Sequence, residues 1–382
     1  MIRPLSKGLA TAMALALGHA GCDAARLDPV VAAAAPAPSS LSYPVIDPDL
    51  GEVLSPRESE IAEQIGRVIE ESLRTEYGPG RVRRDAHPKA HGCVKAQFQV
   101  LEGVPASLSS GMFLPGKTYQ AWIRFSNGSR DATRADSKGD ARGMAIKVLG
   151  VPGRKLLEAE SDSPTQDFIL VNHPVFFAND PTRYLALTQH ATSDSTFSKL
   201  LIPFDLGLKG SRIALETSRK KISNPLQTRY WSMVPYQLGS GPGRQAVKYS
   251  VRACDAKTDP MPDDPADNFL RDALRTTLQN RDACMEFLVQ PRASAGMDVE
   301  DSMTEWSEAE AAFAKVATIR IPQQTFDTTS QNEFCENLSF SPWHSLPEHK
   351  PLGATNRLRK VIYERISQFR HEMNASVRTE PR

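Results

Sequence analysis

Residues 118–126 read Thr-Tyr-Gln-Ala-Trp-Ile-Arg-Phe-Ser, and a period of two runs through them. Successive side chains of a strand point to opposite faces. Tyr119, Ala121, Ile123 and Phe125 therefore share one face, and Gln120, Trp122, Arg124 and Ser126 the other. An arginine and a serine on the inner side of a barrel strand need polar partners, because buried hydrogen-bonding groups left unpaired are costly. The alternative for this strand alone is a solvated outer face.

Similar short apolar or alternating runs occupy 94–101, 144–149 and 168–171, separated by Gly, Pro, Asp and Ser, and a second strand region lies near 245–252 and 314–321. Strands spaced in this way predict an antiparallel sheet that closes into a barrel. Ser55-Pro56-Arg57-Glu58 has the form of a capping box with proline at the first helical position, followed by Ile61, Ile65, Val68, Ile69 and Leu73 on one stripe. Gly78-Pro79-Gly80 ends that helix. Helical patterns return from Tyr184 and Leu185, and 358–373, with Val361, Ile362, Ile366 and Phe369, closes the chain as an amphipathic helix. The expected class is α+β, an antiparallel β-barrel with surrounding helices.

A formal net charge of +1 over 382 residues gives no global basic field, which argues against nucleic acid as a partner. The hydrophobic content of 40% is that of a globular chain with room for a substantial core.

The N-terminus differs in kind. Arg3 and Lys7 flank an apolar stretch from Leu9 to Leu17 that is too short to span a bilayer, and Ala20-Gly21 places small residues before Cys22. Residues 1–22 are predicted to be an export signal. Its ending resembles a bacterial lipoprotein cleavage site, with Cys22 as the lipidated residue, although His19 stands where an aliphatic residue is usual. Residues 23–54, which include the Ala- and Pro-rich run from Ala32 to Pro38, have the composition of a flexible linker, and 55–382 are predicted to fold as one domain. The expected location is periplasmic, free or tethered to the membrane. Cys93, Cys254, Cys284 and Cys335 remain; none has zinc-like spacing, and three disulfide pairings are open to them.

Arg359 and Tyr363 are four residues apart, about one helical turn, so they share a helix face on which a guanidinium can favour a phenolate. Upstream, Arg84-Asp85-Ala86-His87-Pro88-Lys89, then Trp122-Ile123-Arg124-Phe125-Ser126, then 140–147 (Asp-Ala-Arg-Gly-Met-Ala-Ile-Lys), then Val171-Asn172-His173-Pro174-Val175-Phe176-Phe177 follow in order. Phe340-Ser341-Pro342 leads through Pro347 to Arg359 and Tyr363. Together these motifs, over 84–363, resemble the distal and proximal segments of haem catalases. His91-Gly92 is similar to the smaller catalase-related proteins, while Glu364-Arg365-Ile366 departs from the usual continuation after the tyrosine. The expectation is a small catalase-like protein without the C-terminal helical domain or the long N-terminal arm, and hence a monomer or dimer.

The resemblance implies haem b as cofactor and a role for each matching residue. Tyr363 would ligate the iron, and Arg359 would keep it ionised. His87 would move the peroxide proton, Asn172 would hydrogen-bond the peroxide and Ser126 would orient His87. His91 is the alternative distal base. Arg84 and Arg124 would pair with the propionates, Phe176 or Phe177 would pack on the porphyrin, and Asp140 would lie near the peroxide channel. His173, His344 and His349 are expected to be structural or surface groups. The implied activity is a peroxidase or catalase acting on hydrogen peroxide or organic peroxides with a small electron donor. The alternatives are a fatty-acid hydroperoxide isomerase or lyase of the allene oxide synthase type, and a haem-binding lipoprotein without activity.

Overall fold

A computed structural model describes residues 42–378, 380 and 381; the export signal, Cys22 and the linker up to residue 41 lie outside the described residues. Nine strands follow in the order β1 (Ala90–Val100), β2 (Thr118–Asn127), β3 (Arg142–Leu149), β4 (Thr165–Val171), β5 (Tyr230–Trp231), β6 (Tyr236–Leu238), β7 (Gln245–Ala253), β8 (Ala283–Pro291) and β9 (Ala314–Ile321). They hydrogen-bond in the order β5-β4-β3-β2-β1-β9-β8-β7, and β5 also pairs with β7, so eight strands close into an antiparallel barrel. The short β6 attaches to β7 beside the ring.

The period-two pattern sets what the barrel contains. Val94, Ala96 and Phe98 of β1, Tyr119, Ala121, Ile123 and Phe125 of β2, and Met144, Ile146 and Val148 of β3 all join one buried core. Aromatic rings fill its centre: Phe287 lies 5.1 Å from Phe98 and 4.8 Å from Phe168, edge to face. His349 is buried among them. Its Nε2 accepts from the Met112 backbone N–H at 3.1 Å, so its Nδ1–H donates to the Tyr249 hydroxyl at 3.0 Å, and burial holds its pKa down to about 3. The barrel is therefore a packed core and not a pore. This corrects one expectation: with Tyr119, Ile123 and Phe125 turned inward, Arg124 and Ser126 point out of the barrel.

Among the described residues six α-helices surround it: α1 (Glu58–Tyr77), α2 (Pro181–Thr192), α3 (Thr196–Ser218), α4 (Phe269–Asn280), α5 (Thr329–Asn337) and α6 (Ala354–Met373). Helix α1 lays Ile61, Ile65, Ile69 and Leu73 against Leu358, Val361, Ile362 and Phe369 of α6. Its first turn is only half the expected capping box. The Glu58 carboxylate accepts from the Ser55 N–H at 3.0 Å, but Arg57, at φ 56°, is the residue that enters the helix. Gly78 ends it, donating its N–H to the Arg74 carbonyl.

Residues 42–54, expected to belong to a flexible linker, are part of the compact unit that runs from Ser42 onward. A fully buried Arg357 on α6 is the cause. Its Nε donates to Glu58 at 2.6 Å and its Nη1 to Glu52 at 2.7 Å and Glu300 at 2.9 Å. Removing one partner from such a network would strand a buried charge, so the N-terminal segment is fixed to the domain. Cys93 pairs with Cys335, joining β1 to α5, and Cys254 pairs with Cys284. Among the described residues no helix is long and apolar enough to cross a membrane.

Candidate active site

The outer faces of β2, β3 and β4 and one face of α6 enclose a cavity with about 870 Å³ of empty space, counting its open mouth. Arg124, Ser126, Gly143, Ala145 and Ile169 line it from the strands, and Ile362, Tyr363, Ile366, Ser367 and Arg370 from the helix. The helical residues recur at three- and four-residue spacing, so they form a single stripe. A loop running from Arg84 to His87 closes one side and Phe340 another. The walls are largely apolar.

His87 reaches the cavity from a left-handed backbone, φ 62°, a region non-glycine residues seldom adopt. Its N–H donates to the Gly128 carbonyl and its own carbonyl accepts from Arg124 Nη2 at 2.8 Å, which fix the turn. The imidazole Nδ1 is 3.0 Å from the Ser126 hydroxyl. Gly143, opposite Ser126 on β3, permits that approach: a Cβ there would sit 2.5 Å from His87 Nδ1. Burial, and then the positive charges of Arg124 and Arg359, hold the His87 pKa down to about 4, so the ring is neutral at neutral pH.

Three guanidinium groups converge at one end of the cavity. Arg84 Nη1 donates to Glu336 at 2.7 Å and its Nη2 to the Leu338 carbonyl at 2.6 Å; Arg370 Nη1 donates to the Glu336 carbonyl at 2.6 Å. Burial would raise the Glu336 pKa, but Arg84, Arg124 and Arg370 outweigh it and the carboxyl is held low. Arg124 is buried, makes no ion pair among the described residues, and leaves its Nε–H without a partner. Three cations face one carboxylate, an imbalance that an anionic ligand would relieve.

Several expected residues stand beside the cavity and do not line it. The Asn172 Oδ1 accepts from the Arg142 N–H at 2.7 Å, while its buried Nδ2 has no partner. Arg359 is buried on α6 with its guanidinium 5.7 Å from the centre of the Phe176 ring, and Phe176 and Phe177 stack on each other at 4.2 Å. Among the described residues Arg359 makes no hydrogen bond to Tyr363; its Nη1 donates weakly, at 3.5 Å, to Asn356. Asp140 accepts from the Ser129 N–H and does not line the cavity. His91, the alternative distal base, does not line the cavity. Its ring is buried on β1 with Nδ1 3.6 Å from Asp136, outside the cavity. His173, His344 and His349 are all buried, so none is a surface group.

Sequence reasoning did not single out Asp85, Glu336, Arg370, Gly143, Tyr184 or Tyr236. Asp85 lines the cavity, and burial raises its pKa. Tyr184 is half-buried, and desolvation, then the charge of Asp85, pushes its phenol up to about 12; Arg359 and Tyr363 also act on it. Tyr236 is buried with its hydroxyl unpartnered, in electrostatic reach of Arg359 and Tyr363. Arg370 could have been found, since it lies seven residues beyond Tyr363 on the same helical stripe.

The catalase family model matches residues 75–200, the stretch that supplies His87, Arg124, Ser126 and Gly143. The barrel is similar in structure to a fungal catalase (16% identity, TM-score 0.60, covering 75% of this chain and 59% of that one). It is also similar to catalase A from Saccharomyces cerevisiae (18% identity, TM-score 0.61, 89% of this chain and 71% of that one). The fold is that of the catalases. A bacterial catalase matches it as well, at 16% identity and TM-score 0.55, over 90% of this chain and 67% of that one. A search of curated proteins gives no match. The catalase-like chain thus spans 59% of the fungal enzyme's length, and at these identities the likeness establishes the barrel and its helices.

The cavity suits haem on its own chemistry. Apolar walls of Ala145, Ile169, Phe340, Ile362 and Ile366 match a macrocycle, the arginine cluster matches carboxylate side arms, and Tyr363 offers a phenol oxygen.

Proposed function

We propose that the chain is a haem-dependent oxidoreductase that consumes peroxide, with Tyr363 as iron ligand and His87 as distal base. The observation that carries this reading is the presence in one cavity of a neutral imidazole held by a serine, a tyrosine on a helix stripe, and a buried cluster of arginines with too few acids. Arg124 and Arg370 would bind the propionates, and Arg84 would take part by sharing Glu336. Bound haem would supply the iron centre that gives the two electrons needed to cleave the peroxide O–O bond.

The protein's own part is proton transfer. With Nδ1–H donated to the Ser126 oxygen, His87 Nε2 is the free acceptor, the tautomer that a base requires. His87 would take the proton from the near peroxide oxygen and return it to the far one, which leaves as water. The unpartnered Asn172 Nδ2–H is a donor available beside this group. The reading includes export: two disulfides suit an oxidising compartment, where a signal over 1–22 would send the chain. A small electron donor and a monomeric or dimeric state complete it.

The test is the absorption spectrum of the haem-reconstituted chain, wild type and Tyr363→Phe, followed by mixing with hydrogen peroxide. A high-spin ferric spectrum altered in the variant, with oxygen release or donor oxidation by the wild type, is expected. A wild type that retains no stoichiometric haem would overturn the reading.

A further inference from the structure

Helix α3 breaks the rule that a surface helix hides its apolar side. It is two segments, because Gly207 has φ 64° and ψ −177° within it and Pro203 lies just before. On the first segment Phe197, Leu200 and Phe204, spaced by three and four residues, lie on one stripe and are 71%, 65% and 79% exposed. Leu208 follows the kink at 95% exposed, and Leu215 is exposed further on. Five of the eleven large hydrophobic side chains that the described residues expose are therefore on this one helix. Isolated exposed leucines are ordinary, but a run of this kind marks a contact surface.

The flanking charge says what kind. From Asp194 to Lys221 the exposed charged residues are Lys199, Lys209, Arg212, Arg219 and Lys221 against Asp194 and Glu216. Arg212 pairs with Glu216 at 2.7 Å and Lys209 lies 3.6 Å from Asp301, which leaves Lys199, Arg219 and Lys221 as the exposed cations outside ion pairs among the described residues. The other acid, Asp205, is turned to His190, with Oδ2 2.7 Å from Nδ1. Aromatic and leucine side chains bordered by lysine and arginine have the composition of an interfacial helix, which sinks its apolar side to the acyl boundary while cations meet anionic headgroups.

We propose that α3 docks the protein on the surface of an anionic lipid bilayer through Phe197, Leu200, Phe204 and Leu208. Burying these four side chains in the interface supplies the hydrophobic attraction, and the net positive charge of the flanking cations the electrostatic one. The pairing fits the N-terminal sequence. A lipidated Cys22 would be joined to the first described residue, Ser42, by a short segment that reaches at most about 65–70 Å when fully extended. On such a tether even weak docking by α3 is strengthened, because the helix remains at high local concentration near the membrane.

The experiment is flotation of the full chain with phosphatidylglycerol-containing vesicles and with purely phosphatidylcholine vesicles. It compares wild type with Phe197→Ser/Leu200→Ser/Phe204→Ser/Leu208→Ser, and with Lys199→Glu/Arg212→Glu as a second variant. Residues 1–41 are the same in every sample, so differences report α3. At least a tenfold loss of partitioning in the serine variant is expected, together with a preference for anionic vesicles that the charge variant loses. Equal flotation of all three chains overturns the proposal. So does a wild type that is a dimer in solution, becomes monomeric in the serine variant and ignores vesicles, which would assign the stripe to a second copy. Haem content and peroxide turnover without vesicles are expected to be unchanged in both variants, so a failure of docking is distinguishable from a failure of the haem reading.

Discussion

The Ser126 hydroxyl lies 3.0 Å from Nδ1 of His87, on the outside of a barrel whose interior is filled. The pair spans two elements: Ser126 is on β2, and His87 is in the turn ahead of β1, held there by Arg124 of β2 through its carbonyl. One strand thus fixes both the ring and the backbone of the proposed base. Removing the hydroxyl by Ser126→Ala frees the imidazole to change tautomer and rotate. Haem content should persist, while kcat for peroxide falls by about 10- to 100-fold, the usual cost of losing a group that orients a reactive histidine. Steady-state kinetics with hydrogen peroxide on haem-loaded protein checks it.

Acid should act through the same ring. The folded His87 pKa is about 4, below the ordinary histidine value, because burial and then Arg124 and Arg359 disfavour its charged form. A depressed pKa contributes stability that is fully present above about pH 6.5 and is lost as pH falls through the folded value. His349, held to about 3 by burial, acts with the same sign. Activity should therefore be level from about pH 8 to 5 and collapse towards pH 4. Chemical denaturation in the same range should show stability falling over that interval. A decline centred near pH 6.5 would show instead that His87 is not shielded from solvent.

Gly143 offers a steric test. A Cβ at that position would meet His87 Nδ1 at 2.5 Å, Cε1 at 2.6 Å and Ser126 Oγ at 2.9 Å. Gly143→Ala should displace the ring, lower turnover at least as far as Ser126→Ala, and cost about 1–3 kcal/mol as an overpacked site. Urea denaturation together with peroxide kinetics reads both effects.

The strands over 118–126, 144–149, 168–171, 245–252 and 314–321 were legible because an alternating or uniformly apolar run has one structural reading when turn residues bound it. The short β5 and β6 were not, since two or three residues carry no period, yet β5 is the strand that closes the barrel. The faces of β2 were legible as a division into two sets, but alternation alone left open whether the polar set lay inside the barrel or on its outer face. Tyr119, Ala121, Ile123 and Phe125 are the larger apolar set, and burial selects them for the core. In the site, Tyr363 and His87 were marked by local spacing and motif. Glu336 was invisible, because a lone glutamate on a short polar helix acquires meaning only when the fold brings Arg84 and Arg370 to it.

Arg124 tests the charge imbalance. It is buried with an unpartnered Nε–H, and burial, followed by the charge of Arg84, pushes its pKa down, so a bound carboxylate should stabilise it. Arg124→Met keeps the bulk and removes the cation. Loss of one charge-assisted contact of about 1.5–3 kcal/mol should weaken haem retention by about 10- to 100-fold. Without haem the variant should be at least as stable as wild type, since a buried uncompensated charge has been removed. Haem transfer to a scavenging apoprotein and denaturation of the haem-free chains measure the two halves, and weaker haem retention combined with lower haem-free stability would reject this role.

The two disulfides should separate cleanly in their effects. Cys93–Cys335 joins residues 242 apart, with Cα atoms 6.1 Å from each other, and Cys254–Cys284 joins residues 30 apart. Each constrains the unfolded chain, and replacing either pair by serine should cost about 2–4 kcal/mol, more for the longer span. Only the first reaches the cavity. The Cys335 carbonyl accepts from Arg84 Nη2 at 3.2 Å, and the next residue, Glu336, holds Arg84 and Arg370 together. Releasing α5 from β1 should therefore loosen the arginine cluster as well as the fold. Cys93→Ser/Cys335→Ser should lose haem faster than wild type under conditions where both remain folded, whereas Cys254→Ser/Cys284→Ser should lower the denaturation midpoint and leave the haem-loss rate unchanged. Equal haem-loss rates in the two variants would show that α5 is held in place by its packing against Trp122 and not by the covalent link.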